Sequence, residues 1–195
     1  MLNELISNLD EFIEVGGFVM PPLILLTIML WYALGHRYSI LKRGSKRSVR
    51  ELIDLYQLDA SRSTKGIIDQ AALRGVTIKK VKNENLRKYL DDSFNDFHMP
   101  LEKYSRFIKT IVAIAPIAGL LGTVAGMIET FDSLGDMALF TQTGGIAGGI
   151  SQALFTTQMG LAIAIPGLII ERLLNKKQTL LEMELAQIKD ILCSE

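Results

Sequence analysis

Charged residues are absent from three stretches of the chain. Val15 to His36 is 22 residues long, Thr110 to Ile128 is 19 and Met137 to Ile170 is 34. An α-helix rises about 1.5 Å per residue and the hydrocarbon core of a bilayer is about 30 Å thick, so roughly 20 residues cross it. The first two runs have that length. The third exceeds it, and its early part, Thr141, Gln142, Thr143, Gly144 and Gly145, is polar and glycine-rich; that part reads as an external turn. The pattern predicts membrane-spanning helices over 15–36, 110–130 and 146–170, with a short loop over 131–145. The alternative is three buried helices of a soluble protein, but a chain this small rarely supplies three such runs.

Outside the runs the apolar residues become periodic. Ser48-Val-Arg-Glu51 matches a capping box ahead of Leu52, Ile53 and Tyr56, which predicts a short helix. Gly66 to Arg74 predicts another, stopped by Gly75. Leu86, Leu90, Phe94, Phe97, Leu101, Tyr104 and Ile108 step by three and four into the second span, with a kink or restart expected at Pro100. Leu181, Leu185, Ile188 and Leu192 repeat the spacing after the third. Both helices are thus expected to continue beyond the membrane as a packed hairpin, their stripes used for packing within or between subunits. The fold class is an all-α membrane protein: three transmembrane helices with long helical extensions.

Charge supplies the orientation. Of the 21 Lys and Arg residues, 17 fall between Arg37 and Lys109 and the other four between Arg172 and Lys189. Segment 1–14 has none and carries Glu4, Asp10, Glu11 and Glu14; the stretch from Glu129 to Gly145 has none either. Basic residues near spans are retained in the cytoplasm. The expected topology is therefore a periplasmic acidic segment 1–14, a cytoplasmic helical domain 37–109, a periplasmic loop 131–145 and a cytoplasmic C-terminal helix 171–195. A secretory leader begins with a basic region, so segment 1–14 is expected to be retained. Acidic and basic residues balance at 21 each, which argues against nucleic acid as a partner. A lone cysteine, Cys193, excludes an intrachain disulfide.

The spans carry small residues and hydroxyls in place of charges. Gly119, Gly122 and Gly126 step by three and four, a smooth face for close helix contact. Pro116 and Pro166 each free a backbone carbonyl, so local distortion is expected. Thr123 shares a face with Pro116, Leu120, Met127 and Thr130, and Thr157 with Ile150, Ala153, Leu154, Leu161, Ala164 and Leu168. Each face is apolar with a hydroxyl near its middle. Such a threonine can simply bond its own i−4 carbonyl, and the residues alone leave that reading open. Trp31 and Tyr32 fit an interfacial anchor. No catalytic set appears: His36 and His98 are isolated, no metal-ligand spacing exists, and the glycine-rich runs 119–126 and 144–149 lack the lysine of a phosphate loop. Neither an enzyme nor a cofactor is expected.

Ala115-Pro116-Ile-Ala-Gly119-Leu-Leu-Gly122-Thr123-Val-Ala-Gly126-Met-Ile resembles the second-span motif of the MotA/TolQ/ExbB proton-channel family. Gly148-Gly149-Ile-Ser-Gln152-Ala-Leu-Phe-Thr-Thr157-Gln-Met-Gly160-Leu-Ala-Ile-Ala-Ile-Pro166-Gly resembles its third-span motif. The two cover roughly residues 101–174; the first hundred residues match in layout. The ExbB branch is the nearest, TolQ the next, and MotA is distant because it has four spans. The resemblance implies a bacterial inner-membrane pentamer whose second and third spans line a pore. An ExbD-like single-span partner dimer, with a proton-carrying aspartate, would occupy that pore and work on a TonB-like protein. It implies Thr123 and Thr157 as pore-lining residues on the proton pathway, and Pro116, Gly119, Gly122, Gly126, Gln152, Gly160 and Pro166 as pore or helix contacts. Gln152 departs from the family, where many members have glutamate, so titration is expected to concentrate on the partner. A TolQ-like subunit of a Tol-Pal envelope system, or a membrane scaffold without ion coupling, is the alternative.

Overall fold

The computed structural model describes residues 12–13, 15–45, 47–58, 63–64, 66–81, 85–136 and 143–194. Most of the acidic segment 1–14, and residues 137–142 of the loop expected over 131–145, lie outside the described residues. A 3-10 turn, Gly17–Val19, leads into α1, Met20–Ile40. Pro21 and Pro22 sit in its first turn, where their fixed φ suits the start of a helix. Then come α2, Val49–Leu58; α3, Ile67–Val81; α4, Leu86–Glu102; α5, Ser105–Asp136; and α6, Thr143–Ser194. The described residues contain no strand. Among the described residues three helical stretches are long and apolar enough to cross a membrane, within Gly17–Ile40, Leu86–Gly135 and Gly145–Ser194. The protein is an all-α, multi-pass membrane protein. Helix α6 has 52 residues, more than twice what a crossing requires.

The chain divides into two compact units. The first comprises Met1–Leu34 and Phe107–Ile170. Its interior is built from Leu23 and Leu30 of α1, Ile111, Val112 and Ala115 of α5, and Ala153, Ile163 and Ala164 of α6, all buried. Around the rim Leu120, Val124, Phe131, Leu154 and Ile165 are exposed apolar side chains, the pattern of a surface facing lipid or other apolar helices. Helices α5 and α6 run unbroken through Pro116 and Pro166.

The second unit comprises Gly35–Arg106 and Glu171–Glu195. The expected capping box heads α2: the Glu51 N–H donates to Ser48 Oγ at 3.3 Å and the Ser48 N–H to Glu51 Oε2 at 3.4 Å. Gly75 does not stop its helix; α3 continues to Val81. A Cβ at Gly75 would lie 2.5 Å from Leu192 Cδ1 and 3.5 Å from Phe94 Cζ, so the glycine opens a notch for the C-terminal helix. The restart expected at Pro100 falls slightly later. Pro100 completes the last turn of α4, the Lys103 N–H donates to its carbonyl at 3.3 Å, and Tyr104, at φ 63°, turns the chain before α5 begins. The two predicted stripes meet, with Leu90, Phe94, Leu101, Leu181, Leu185, Ile188 and Leu192 all buried. Lys189 pairs with Asp91 at 2.8 Å across them.

A buried polar cluster fastens the end of α1 to α6 within this unit. Arg37 is fully buried, and its Nη2 donates at 2.6 Å both to Asn175 Oδ1 and to Gln178 Oε1. Asn175 donates in turn to Glu171 Oε1, which is itself buried, and Gln178 donates to Glu182 at 2.7 Å. Arg37 and Glu171 are the first charges after the first and third apolar runs. As run boundaries they were legible in the sequence; their association was not.

Candidate functional site

The candidate site is the seam between α5 and α6 and the surface beside it. Glycines on both helices bring the backbones together. A Cβ on Gly160 would lie 2.8 Å from the Ala115 carbonyl oxygen and 3.1 Å from Gly119 Cα. One on Gly126 would lie 2.5 Å from the Gly149 carbonyl oxygen, and one on Gly122 would overlap the Thr156 side chain. The seam therefore admits no larger residue at these positions without moving a backbone or a fully enclosed threonine. The structure brings Gly119, Gly122, Gly126 and Gly160 together, and adds Gly149 and Thr156, which spacing alone did not select.

The hydroxyls fall into two groups. Thr156 and Thr130 are buried in the seam: Thr156 Oγ1 donates toward the carbonyls of Gln152 and Ala153 at 3.0 and 3.1 Å, and Thr130 Oγ1 to that of Gly126 at 2.8 Å. These are structural, each satisfied by its own helix. Thr123 and Thr157 are half-buried at the edge of the apolar surface. Thr123 Oγ1 donates to the Leu120 carbonyl at 2.7 Å and Thr157 Oγ1 to the Ala153 carbonyl at 3.0 Å. Each hydroxyl proton is thus committed backwards and the oxygen lone pairs remain as acceptors. In this rotamer a threonine receives a hydrogen bond from a protonated carboxyl group. Donating to a carboxylate requires breaking the helical bond first.

Gln152 is buried and its Nε2 donates to Glu129 Oε1 at 3.3 Å. Both border a cavity of about 540 Å³ with Asp132, Ser133 and Ser151, at the Asp136/Thr143 end of the helix pair. Glu129 was visible in the sequence only as the residue closing a run; its pairing needed the α5–α6 register. Pro116 and Pro166 are half-buried on the two helices. Among the described residues no group of His, Cys, Asp or Glu is arranged to hold a metal.

Residues 61–187 match the family model described as the MotA/TolQ/ExbB proton channel family. The chain is 32% identical over 186 residues to the putative biopolymer transport protein ExbB-like 1 of Synechocystis, covering 88% of this chain and 72% of that one. It is 27% identical to the biopolymer transport protein ExbB of Salmonella typhimurium, over 78% of this chain and 69% of that one. It is also 35% identical to the ExbB of Aquifex aeolicus, over 53% and 66% respectively.

Proposed function

The chain belongs to the MotA/TolQ/ExbB proton channel family, and from that premise we propose that it is the uncharged housing of a proton-driven complex of the bacterial inner membrane, coupling the proton-motive force to TonB-dependent transport across the outer membrane. The observation that carries this reading is the chemistry of the α5–α6 pair. Residues 110–128 and 143–170 hold no ionisable side chain, so the chain alone has no carrier for a proton through the apolar layer. It offers instead an apolar wall, Leu120, Met127, Leu154 and Leu161, with the Thr123 and Thr157 oxygens set into it.

In this reading several copies, five by the resemblance, enclose a single-span ExbD-like partner that contributes an aspartate. The dry wall keeps that carboxyl group protonated, and Thr123 and Thr157 accept its hydrogen bond. Where water reaches it, the group ionises. One charge moving through 100 mV of membrane potential releases about 2.3 kcal/mol, which biases the movement of the partner helices against the wall and acts on a TonB-like protein. Because the wall is apolar, contacts with a moving helix stay weak and the passive leak is small. The basic segments face the cytoplasm in this topology. A TolQ-like role differs in its outer partner.

The decisive measurement is proton flux into proteoliposomes. This chain alone should conduct almost nothing, and flux should appear when a carboxylate-bearing single-span partner is reconstituted with it. Robust flux from the chain alone would place the carrier here and end the proposal. Co-purification with a TonB-like or a TolA-like protein separates the two roles.

A further inference from the structure

At the Asp136/Thr143 end of the α5–α6 pair, the apolar wall meets one carboxylate before any other ionisable group. Thr123 lies six positions before Glu129 but 14 after Lys109, and Thr157 lies 14 before Glu171. At about 1.5 Å of helix rise per residue, Thr123 is roughly 9 Å along α5 from Glu129, and both threonines are roughly 21 Å from the charges at the other end. Residues 143–170 of α6 hold no ionisable side chain at all. A proton that enters the wall from this end therefore meets Glu129 last.

The way Glu129 is held suits it to exchange a proton. It is exposed and borders the cavity of about 540 Å³, which has room for several waters at about 30 Å³ each. Its Oε1 accepts from Gln152 Nε2 at 3.3 Å, and Gln152 is only 7% exposed. The amide is seated against the turn before α1: Gly17 has φ 61°, and a Cβ there would overlap Gln152 Nε2. An amide N–H serves both charge states, because it donates to a carboxylate or to the carbonyl oxygen of a neutral carboxyl group. A lysine or arginine in its place would favour the charged form and oppose protonation. Among the described residues no basic side chain lines the cavity, and Asp132 is the other titratable group there. Glu129 is thus fixed in position without being fixed in one charge state.

We propose that Glu129 is the proton-collecting residue of this chain and that Gln152 positions it, an inference that rests on the function proposed above. The Glu129 carboxylate takes a proton from water in the cavity and becomes a neutral carboxyl group. It then releases that proton toward the partner's ionised aspartate, which is neutralised as Glu129 returns to the carboxylate. Asp132 is three positions farther from Thr123 and lacks the Gln152 clamp, so it does not replace Glu129. Glu129 stands at the edge of the apolar layer, so the chain without its partner still conducts almost nothing.

The test is proton flux into proteoliposomes that hold the full chain with its native single-span partner, with assembly checked by gel filtration. Glu129→Gln keeps the shape and the acceptor for Gln152 but cannot take up a proton; Glu129→Asp keeps the acid and shortens its reach. Glu129→Gln lowers the flux about tenfold or more, the usual worth of a positioned proton-transfer group being at least that. Glu129→Asp restores most of it, Asp132→Asn matches the wild type, and all three variants assemble. A residue that only braces the helices gives the reverse order, with glutamine tolerated and aspartate not, and that order would overturn the assignment. So would an equal loss in Asp132→Asn, which marks general attraction of cations to an acidic mouth, or a Glu129→Gln chain that no longer assembles. Wild-type flux from Glu129→Gln defeats this inference alone, whereas no flux from the wild-type complex defeats the proposed function and this inference with it.

Discussion

Thr123 and Thr157 differ from Thr130 and Thr156 in one respect that matters, which is exposure. All four bond their own helix, but only the first two present an oxygen at the apolar surface. A valine keeps the shape and removes the acceptor. On the proposed mechanism Thr123→Val and Thr157→Val each reduce proton-dependent uptake about tenfold, the worth of one hydrogen bond of about 1–1.5 kcal/mol, while the complex still assembles. Full activity in both variants, measured with the native partners, would remove the threonines from the pathway. The sequence spacing identified these two residues as centres of apolar faces. It did not show which threonines the seam would enclose, because Thr156 and Thr157 are adjacent and only the helix rotation separates them.

At the level of elements, the seam between α5 and α6 depends on what is missing. Gly122 leaves the space that Thr156 fills. Gly122→Ala should therefore lower the thermal stability of the detergent-solubilised protein by about 1–3 kcal/mol, the usual cost of overpacking. Combining it with Thr156→Gly, which moves the notch to the facing helix, should recover much of that loss. A Gly122→Ala variant that melts like wild type would show a looser seam. The three-and-four spacing of Gly119, Gly122 and Gly126 was enough to foresee close contact. Local evidence of the same kind makes Gly75 look like a helix stop, but its role is set by Leu192, 117 residues away in the chain. A glycine that ends a helix and one that receives a neighbour look alike in sequence, since both are defined by an absent side chain.

At the scale of the whole molecule, charge organises what hydrophobicity leaves open. Basic residues are confined to two stretches, and the same residues close the second unit through pairs such as Arg43–Glu184 and Asp91–Lys189. Lys189 donates to Asp91 and, with its charge and that of Arg87, holds the carboxyl below its ordinary range. A depressed carboxylate pKa contributes stability that is complete above the unfolded value, near 4, and is lost as pH falls through the lower folded value. Because Asp91 is exposed, the effect is small and weakened by salt. Melting curves of wild type and Asp91→Asn should differ slightly at neutral pH and converge once the pH has fallen through the depressed folded-state value. A difference that persists into strong acid would mean that the aspartate acts through packing.

The sequence by itself determined the class of molecule, the three apolar helices, the periodic extensions and the glycine face. Each follows from local spacing against the fixed rise and turn of a helix and the fixed thickness of a bilayer. Tertiary structure decided the burial of Arg37 beside Asn175 and Gln178, the pairing of Gln152 with Glu129, and the enclosure of Thr156. Those depend on the rotation and register of helices whose contacting residues lie 23 to 141 positions apart. A helical pattern states which residues share a face, and leaves the choice of facing partner to three-dimensional packing.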